Sequence, residues 1–357
     1  MELTSKKILV MRYRFIGDTV LTVPFLRNLR RAEPSAYIAW MVAPGSSDVV
    51  KGVPYVDEMI YWDPETIHAD SRGTHRTFSA KLAFIKELRL HHFDKVYILK
   101  RSLSSAIIAW LSGARERIGF DTEGRGLLLT RKVPYRHDRH EVENFLEVLR
   151  ADGVKVEDDF LEIWTTVQEE DRAKRILADG GVMSSEQKVV IHPFSAVPQR
   201  GWPLENFAEL AIRLSKEAGY RPIVVGGTAD IDTFKKVKPL FGEGTVDLIG
   251  KCTLRETIAL LKQCDLFVGN DSGIMHLAAA AGTPLVALFG PQSPVKFGPW
   301  SRRARVIYKG MECSPCRQKF FSECEPSPRM RPACMEAISV EEVFQESVTI
   351  AGSPTRA

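Results

Sequence analysis

The sequence predicts an α/β protein built from two Rossmann-like, doubly wound domains, and three observations carry that expectation. Short apolar runs with charged flanks alternate with amphipathic stretches, the pattern of parallel sheets joined by right-handed helical crossovers. The alternation restarts after residue 185, and the acidic stretch VQEEDR (167–172) separates the two series. At 357 residues the chain is also long for a single hydrophobic core. The expected domains are 1–170 and 171–357, facing each other across a cleft.

In the first series, KKILVMRY (6–13) reads as a buried parallel strand. FIGDTVLTVPFLRNLRRAEP follows with Val20, Val23, Leu26 and Leu29 at helical spacing. YIAWMVAP (37–44), EMIYWD (58–63), KVYILK (95–100) and ARERIGF (114–120) are further strands, with helical periodicity over 80–92. NFLEVLRADG (144–153) ends as a helix does, with Gly153 beyond its last turn. In the second series, KVVIHPF (188–194) and RPIVVGG (221–227) are strands around a helix at 205–219 that closes on Gly219. TLRETIALLKQC (253–264) is a helix with Thr253 and Glu256 in capping-box spacing. DLFVGND, SGIMHLAAAAG and PLVALFG then give strand, helix and strand within 26 residues, and the tail after Ser347 is expected to fray.

Composition removes several classes. The apolar fraction of 44% and charged fraction of 26% fit a globular fold rather than a disordered chain. No apolar run approaches the ~18 residues that span a bilayer. Arg12 and Arg14 break the apolar start at once, so it is not a secretory signal, and a cytoplasmic protein is expected. Residues 1–150 hold 24 Lys/Arg against 18 Asp/Glu, a formal +6, and the remainder 25 against 27, a formal −2. That bias suits either an anionic partner or an ordinary solvated surface. No arginine-rich run or RNA-binding signature points to nucleic acid.

Ligands of open α/β sheets bind beyond the carboxyl ends of strands, and four such turns carry unusual side chains. In NDSGIMHLAAAAGTP (270–284), Asp271 and Ser272 suit helix capping and Gly273 lets a ligand approach the backbone. The first-turn amides and helix dipole favour a phosphate there. Capping alone does not account for His276 one turn in, nor for the small Ala278 to Ala281, so the turn is read as an anion seat. In RYRFIGDTVLTVP (12–24), Asp18 opens the first helix as a general base or a plain N-cap. In HPFSAVPQRGWPLENF (192–207), Ser195 can donate to a phosphate and Arg200 offers a guanidinium fork, unless it is a surface charge. In VVGGTAD (224–230), Gly226 and Gly227 mark close backbone approach, and Asp230 suits ribose hydroxyls. The absence of G-x-G-x-x-G counts against a dinucleotide enzyme.

Cys313, Cys316, Cys324 and Cys334 form C-x2-C-x7-C-x9-C. The first pair has zinc-knuckle spacing and the second is wider than usual, so a structural metal, a redox-sensitive loop and plain local packing all stay open. Cys252 and Cys264 read as buried apolar residues. No Asp-x-Asp pair stands on the turns, so no catalytic metal or other cofactor is expected.

Together these segments resemble glycosyltransferase family 9, the ADP-heptose:lipopolysaccharide heptosyltransferases. The likeness runs through KILVMRYRFIGDTVLTVPFLRNLR, GARERIGF, HPFS…RGWPLENFAEL, VVGGTAD, GNDSGIMHLAAAAGTPLVALFGPQSP and CSPC…C…CM, in order and spacing. The resemblance implies a GT-B fold, with the acceptor bound mainly by the first domain and the nucleotide sugar by the second. It implies inverting transfer of heptose from ADP-heptose to the lipopolysaccharide inner core without a catalytic metal. Asp18 and Arg200 take the catalytic positions in that reading, while Ser195, Asp230, Asp271, Ser272, Gly273 and His276 take the donor side. Arg200 stands where many members carry Lys, which keeps the charge and changes its geometry. The partners expected are a nucleotide sugar and an anionic glycolipid acceptor, with peripheral contact at the inner membrane. A nucleotide-sugar epimerase or hydrolase of similar fold, a transferase using another sugar, and a non-catalytic binder are the alternatives.

Overall fold

The computed structural model of the chain describes residues 5–64, 73–316, 324 and 331–352. It divides into two compact units, Met1–Trp164 and Thr165–Ala357. The division falls six residues before the expected 170/171, and the reason is local. Thr166 accepts from the Glu169 amide while Glu169 reaches back to the Thr166 amide, so VQEEDR is the capped first turn of a helix rather than a linker.

The first unit is one parallel sheet. Strands β1 (Lys7–Met11), β2 (Tyr37–Val42), β3 (Glu58–Tyr61), β4 (Lys95–Ile98), β5 (Glu116–Phe120) and β6 (Arg131–Val133) lie in the order β3-β2-β1-β4-β5-β6. Val10 pairs in register with Trp40 on one side and Tyr97 on the other. Ile8 to Met11 are apolar at every position and fully buried, as a strand covered on both faces must be. The single helix expected after β1 is two, α1 (Ile16–Leu21) and α2 (Val23–Ala32). Pro24 has no N–H to give the Val20 carbonyl, so the helix stops and restarts at Thr22, with Pro24 near the new start, where no donor is needed. Helices α3 (Pro44–Ser47), α4 (Phe78–Leu90), α5 (Leu103–Leu111) and α6 (Glu141–Ala151) complete the unit. Gly153 follows α6 at φ 79°, as its helix-terminating position requires.

Arg27 of α2 is buried, and its guanidinium fork ties the helix to the segment that ends the unit. Nε donates to Asp158 Oδ1 at 2.6 Å, Nη1 to Glu162 Oε1 at 2.5 Å and Nη2 to the Phe160 carbonyl at 2.7 Å. The Phe160 ring lies 3.6 Å from the guanidinium carbon. A buried cation is tolerable only with such full pairing.

The second unit repeats the plan. β7 (Gln187–His192), β8 (Tyr220–Val224), β9 (Val246–Asp247), β10 (Leu266–Asn270), β11 (Leu285–Phe289) and β12 (Ala304–Tyr308) lie in the order β12-β11-β10-β7-β8-β9, all parallel. The helices are α7 (Val167–Asp179), α8 (Leu204–Ala218), α9 (Ile231–Val237), α10 (Leu254–Leu261), α11 (Gly273–Ala281), α12 (Pro294–Phe297), α13 (Ala333–Glu336) and α14 (Val340–Ala351). Gly219 closes α8 at φ 73°, and the expected capping box of Thr253 with Glu256 starts α10. The expected fraying after Ser347 is corrected. α14 continues to Ala351, because Ser347 and Ile350 are buried and Ile350 packs into the core with Val343 and Phe344. Both sheets reverse strand order beside their first strand, β1/β4 in one unit and β7/β10 in the other, the position at which open α/β sheets bind ligands.

Trp202 anchors the second core. It is fully buried, its indole N–H donates to the Ile338 carbonyl at 2.9 Å, and its ring meets Phe207 edge-on at 4.8 Å. Trp202→Ala is expected to lower the unfolding free energy by about 3–5 kcal/mol. Chemical denaturation followed by circular dichroism measures this, and a loss below about 1 kcal/mol would contradict the anchoring role.

Candidate active site

The second unit's site is built from the ends of three adjacent strands. β10 ends in Asn270, whose side chain is buried and hydrogen-bonded through both its oxygen and its nitrogen. Its Oδ1 accepts from the Trp202 amide at 3.0 Å, and its Nδ2 donates to the Pro193 carbonyl at 2.9 Å. One side chain thereby pins both ends of the single connection, 193–203, that follows β7 and carries Arg200. Gly269, just before it, is required by close approach, since a Cβ there would stand 2.9 Å from the His192 carbonyl oxygen.

The capping expected of Asp271 and Ser272 does not occur. Ser272 is the N-cap residue of α11, yet its side chain makes no capping hydrogen bond. Its hydroxyl instead lies 3.4 Å from His192 Nδ1. The Asp271 carboxylate turns to Arg200, with Nη1 to Oδ2 at 3.1 Å. The first-turn amides of α11 are therefore left without a side-chain acceptor, in the position that favours an anionic ligand. Gly273 is the first residue of this helix, and His276 is buried one turn further on.

Burial dominates the titration of this corner. It pushes the Asp271 carboxyl up to about 6, with Arg200 pulling in the opposite direction. It pushes His192 down to about 4, so that this imidazole is neutral around pH 7.

The neighbouring turns are looser. Ser195 accepts from the Val197 amide at 3.3 Å, which leaves its proton available to a ligand. Asp230 follows β8 and accepts from the Gly227 amide at 2.8 Å through Oδ2. That bond starts the short helical turn at Thr228–Asp230 and commits one carboxylate oxygen to the loop itself. Burial raises the Asp230 carboxyl, offset by the Gly227 hydrogen bond. A Cβ on Gly226 would meet the Phe194 ring at 2.8 Å, so the two turns pack through that glycine.

Asp18 belongs to the first unit, in the first turn of α1. Its Oδ1 lies 2.7 Å from Nη2 of Arg12, the residue just after β1, and the Arg12 guanidinium rests 5.1 Å from the Phe145 ring centroid. Neither residue caps α1 in the usual way, since the N-cap, Phe15, makes no side-chain bond. Sequence reasoning missed Arg12, whose signal was a cation ending a strand six residues before an acid on the following helix.

Further cations gather at the same sheet edge. Lys100 and Arg101 follow β4, with Lys100 over the Tyr13 ring at 4.2 Å and Arg101 over the Tyr135 ring at 4.1 Å. Arg125 is buried, donates to the Phe120 carbonyl at 2.7 Å and is pushed down to about 10 by that burial. Arg14 adopts φ 132°, a strained conformation for a non-glycine residue.

The four late cysteines are unbridged thiols, and Cys334 is buried with its thiol pushed up to about 11 by that burial. Among the described residues no group of three or more His, Cys, Asp or Glu side chains is placed to hold a metal ion. Loop positions such as 63–80 and 121–140 are where the sequence leaves specificity to be set, and part of the former, residues 65–72, lies outside the described residues.

The model of "Glycosyltransferase family 9 (heptosyltransferase)" matches residues 81–324. Lipopolysaccharide heptosyltransferase 2 of Salmonella typhimurium is 29% identical over 312 residues, covering 84% of this chain and 87% of that protein. Among solved structures, a glycosyl transferase family 9 protein from Veillonella parvula superposes with a TM-score of 0.85 at 26% identity, covering 98% of each chain. The E. coli ADP-heptose lipopolysaccharide heptosyltransferase II superposes at 0.76 with 23% identity, covering 97% of this chain and 98% of that one, and shares the fold. The two Rossmann-like units are those of the GT-B class.

The raised Asp271 carboxyl has a thermodynamic signature. A carboxyl that titrates higher folded than unfolded makes the folded state bind the extra proton, so stability falls as pH rises from about 4 through about 6. His192 acts with the opposite sign over an overlapping window, so the comparison must be with Asp271→Asn, in which the histidine cancels. Between pH 4 and pH 7 the wild type is expected to lose about 2–3 kcal/mol relative to the Asn variant. Parallel denaturation curves across that range measure the difference, and a pH-independent difference would contradict the burial argument.

Proposed function

The chain belongs to glycosyltransferase family 9, the heptosyltransferase family, and from that premise we propose that it transfers heptose from ADP-heptose to the inner core of lipopolysaccharide, with inversion at the anomeric carbon. The observation that carries this reading is the open start of α11, where Ser272 and Asp271 turn away from the helix amides while Arg200 stands beside them. Such a seat suits a diphosphate leaving group, because amides, helix dipole and guanidinium all oppose the negative charge that grows as the glycosidic bond breaks. The names of the relatives, lipopolysaccharide heptosyltransferases, supply the sugar and the acceptor class.

The second unit takes the donor in this account. Gly273 and its neighbours receive the diphosphate through their amides, Ser195 adds a hydroxyl donor, and Asp230 accepts from the ribose through Oδ1. Asp271 holds Arg200 in place, and His276 lines the seat from within the helix. Protein groups supply the positive charge that a divalent ion supplies in other transferases.

The first unit takes the acceptor. Asp18 removes the proton from the attacking hydroxyl, and Arg12 fixes the orientation of that carboxylate. Arg14, Lys100 and Arg101 give the sheet edge a charge that matches the carboxylates and phosphates of an inner-core acceptor. The sugar's anomeric carbon passes through an oxocarbenium-like state, the acceptor oxygen bonds to it, its proton goes to Asp18, and ADP leaves with the bonding pair. The protein works in the cytoplasm, at the inner membrane face where such acceptors are displayed.

Asp18→Asn is expected to lower kcat by about a thousandfold while ADP affinity stays within about twofold. Mass-spectrometric transfer assays and calorimetry measure the two, and normal turnover would remove Asp18 from the role of base. Arg200→Ala is expected to cost about a hundredfold or more in kcat, and an excess of chelator is expected to leave turnover unchanged. Loss of activity on chelation, restored by a divalent ion, would contradict the proposed charge balance. A panel of ADP-, UDP- and GDP-sugars tests the donor, with reaction from ADP-heptose expected.

A further inference from the structure

We propose that α4 and α5 of the first unit form a docking surface for an anionic lipid bilayer. A helix on the outside of a doubly wound domain ordinarily buries one apolar face and shows water a polar one. α5 does not: Ser105, Ala106, Ile108 and Ala109 are buried inward, while Leu103, Ile107 and Trp110 point outward at 44%, 40% and 54% exposure. Their spacing of four and three residues puts them on one stripe, and α5 contains no charged residue.

α4 packs beside α5 and extends the same character. Phe78 and Leu82 are one turn apart and exposed at 83% and 44%. Around them stand Arg76, Lys81, Lys86 and Arg89, against the single carboxylate Glu87 over residues 76–90. None of the four cations is ion-paired among the described residues. Exposed apolar side chains including Trp and Phe, set among unpaired Lys and Arg, are what the headgroup region of an anionic bilayer accommodates: rings enter the interface while cations meet lipid phosphates.

Charge selects this occupant over a second copy of the chain. A two-fold contact through this surface would set the same four cations against their equivalents. The stripe also begins at Leu103, directly after the β4 end that carries Lys100 and Arg101. Docking there would present that edge to an acceptor held in the lipid, a consequence that rests on the proposed transferase reading. The surface itself does not rest on it. Among the described residues no helix is long and apolar enough to cross a membrane.

The test is flotation of the full chain with vesicles of phosphatidylglycerol and phosphatidylcholine, compared with phosphatidylcholine alone. The wild type is expected to float with the anionic vesicles and to be released by high salt. Ile107→Glu with Trp110→Glu, and separately Lys86→Glu with Arg89→Glu, are expected to weaken partition by about tenfold or more. Both double variants change exposed positions, and an unchanged melting temperature with retained ADP binding checks that each is folded.

Equal binding to neutral vesicles, or unchanged partition in both variants, would overturn the proposal. So would a wild type that self-associates through this surface and ignores vesicles, with the variants monomeric. Flotation uses no sugar substrate, and transfer to a water-soluble acceptor uses no vesicle. Failure of one reading is therefore distinguishable from failure of the other.

Discussion

An α-helix that begins without a capping side chain leaves backbone donors unsatisfied, at a cost of about 1 kcal/mol where caps have been removed. α11 begins this way although Asp271 and Ser272 stand at its start. Both are good capping residues, and both are engaged elsewhere: Asp271 by Arg200, Ser272 near His192. The helix start is thus held open by specific contacts, and the proposed chemistry of the second unit depends on that opening.

Keeping it open requires rigidity behind it. Asn270 binds the backbone at both ends of the Arg200 loop, Gly269 allows β10 to lie against the β7 end, and Trp202 roots that loop in the core. Neutral His192 adds a polar group without a charge beside Ser272. The buried Asp271 is the exception, a carboxyl whose burial is unfavourable and only partly offset by Arg200. Such a pair fixes the guanidinium's orientation without neutralising it entirely, since a fork has donors to spare. In the first unit Arg12 and Asp18 make a comparable pair, with the carboxylate as the proposed reacting group and the guanidinium as its support.

Much of this was legible in the sequence because buried parallel strands write themselves as apolar runs. The long central strands β1, β4, β7, β10 and β11 were all visible that way, and so were the caps at Thr253 and Gly219. The edge strands β6, β9 and β12 were not, because β6 and β9 are only three and two residues long and β12 is largely exposed, so none carries a continuous apolar signal. α14 was hidden for another reason: its buried Ser347 and Ile350 become core only through contact with distant strands. At the site, the turns and residue types could be named, but their partners could not. That Asp271 would face Arg200, and Ser272 His192, depends on loops 70 to 80 residues away in sequence. Local capping preference pointed the other way, and tertiary contacts overrode it.

The central claim is that the open amides of α11 receive the donor's diphosphate. Amide hydrogen exchange of the full chain with and without ADP tests it most directly, read by mass spectrometry on peptides spanning residues 270–278. The account predicts slower exchange across Gly273 to Met275 when ADP binds, and a weaker effect in an Arg200→Ala variant. Saturating ADP that leaves exchange in this segment unchanged, while protecting amides elsewhere, would contradict it.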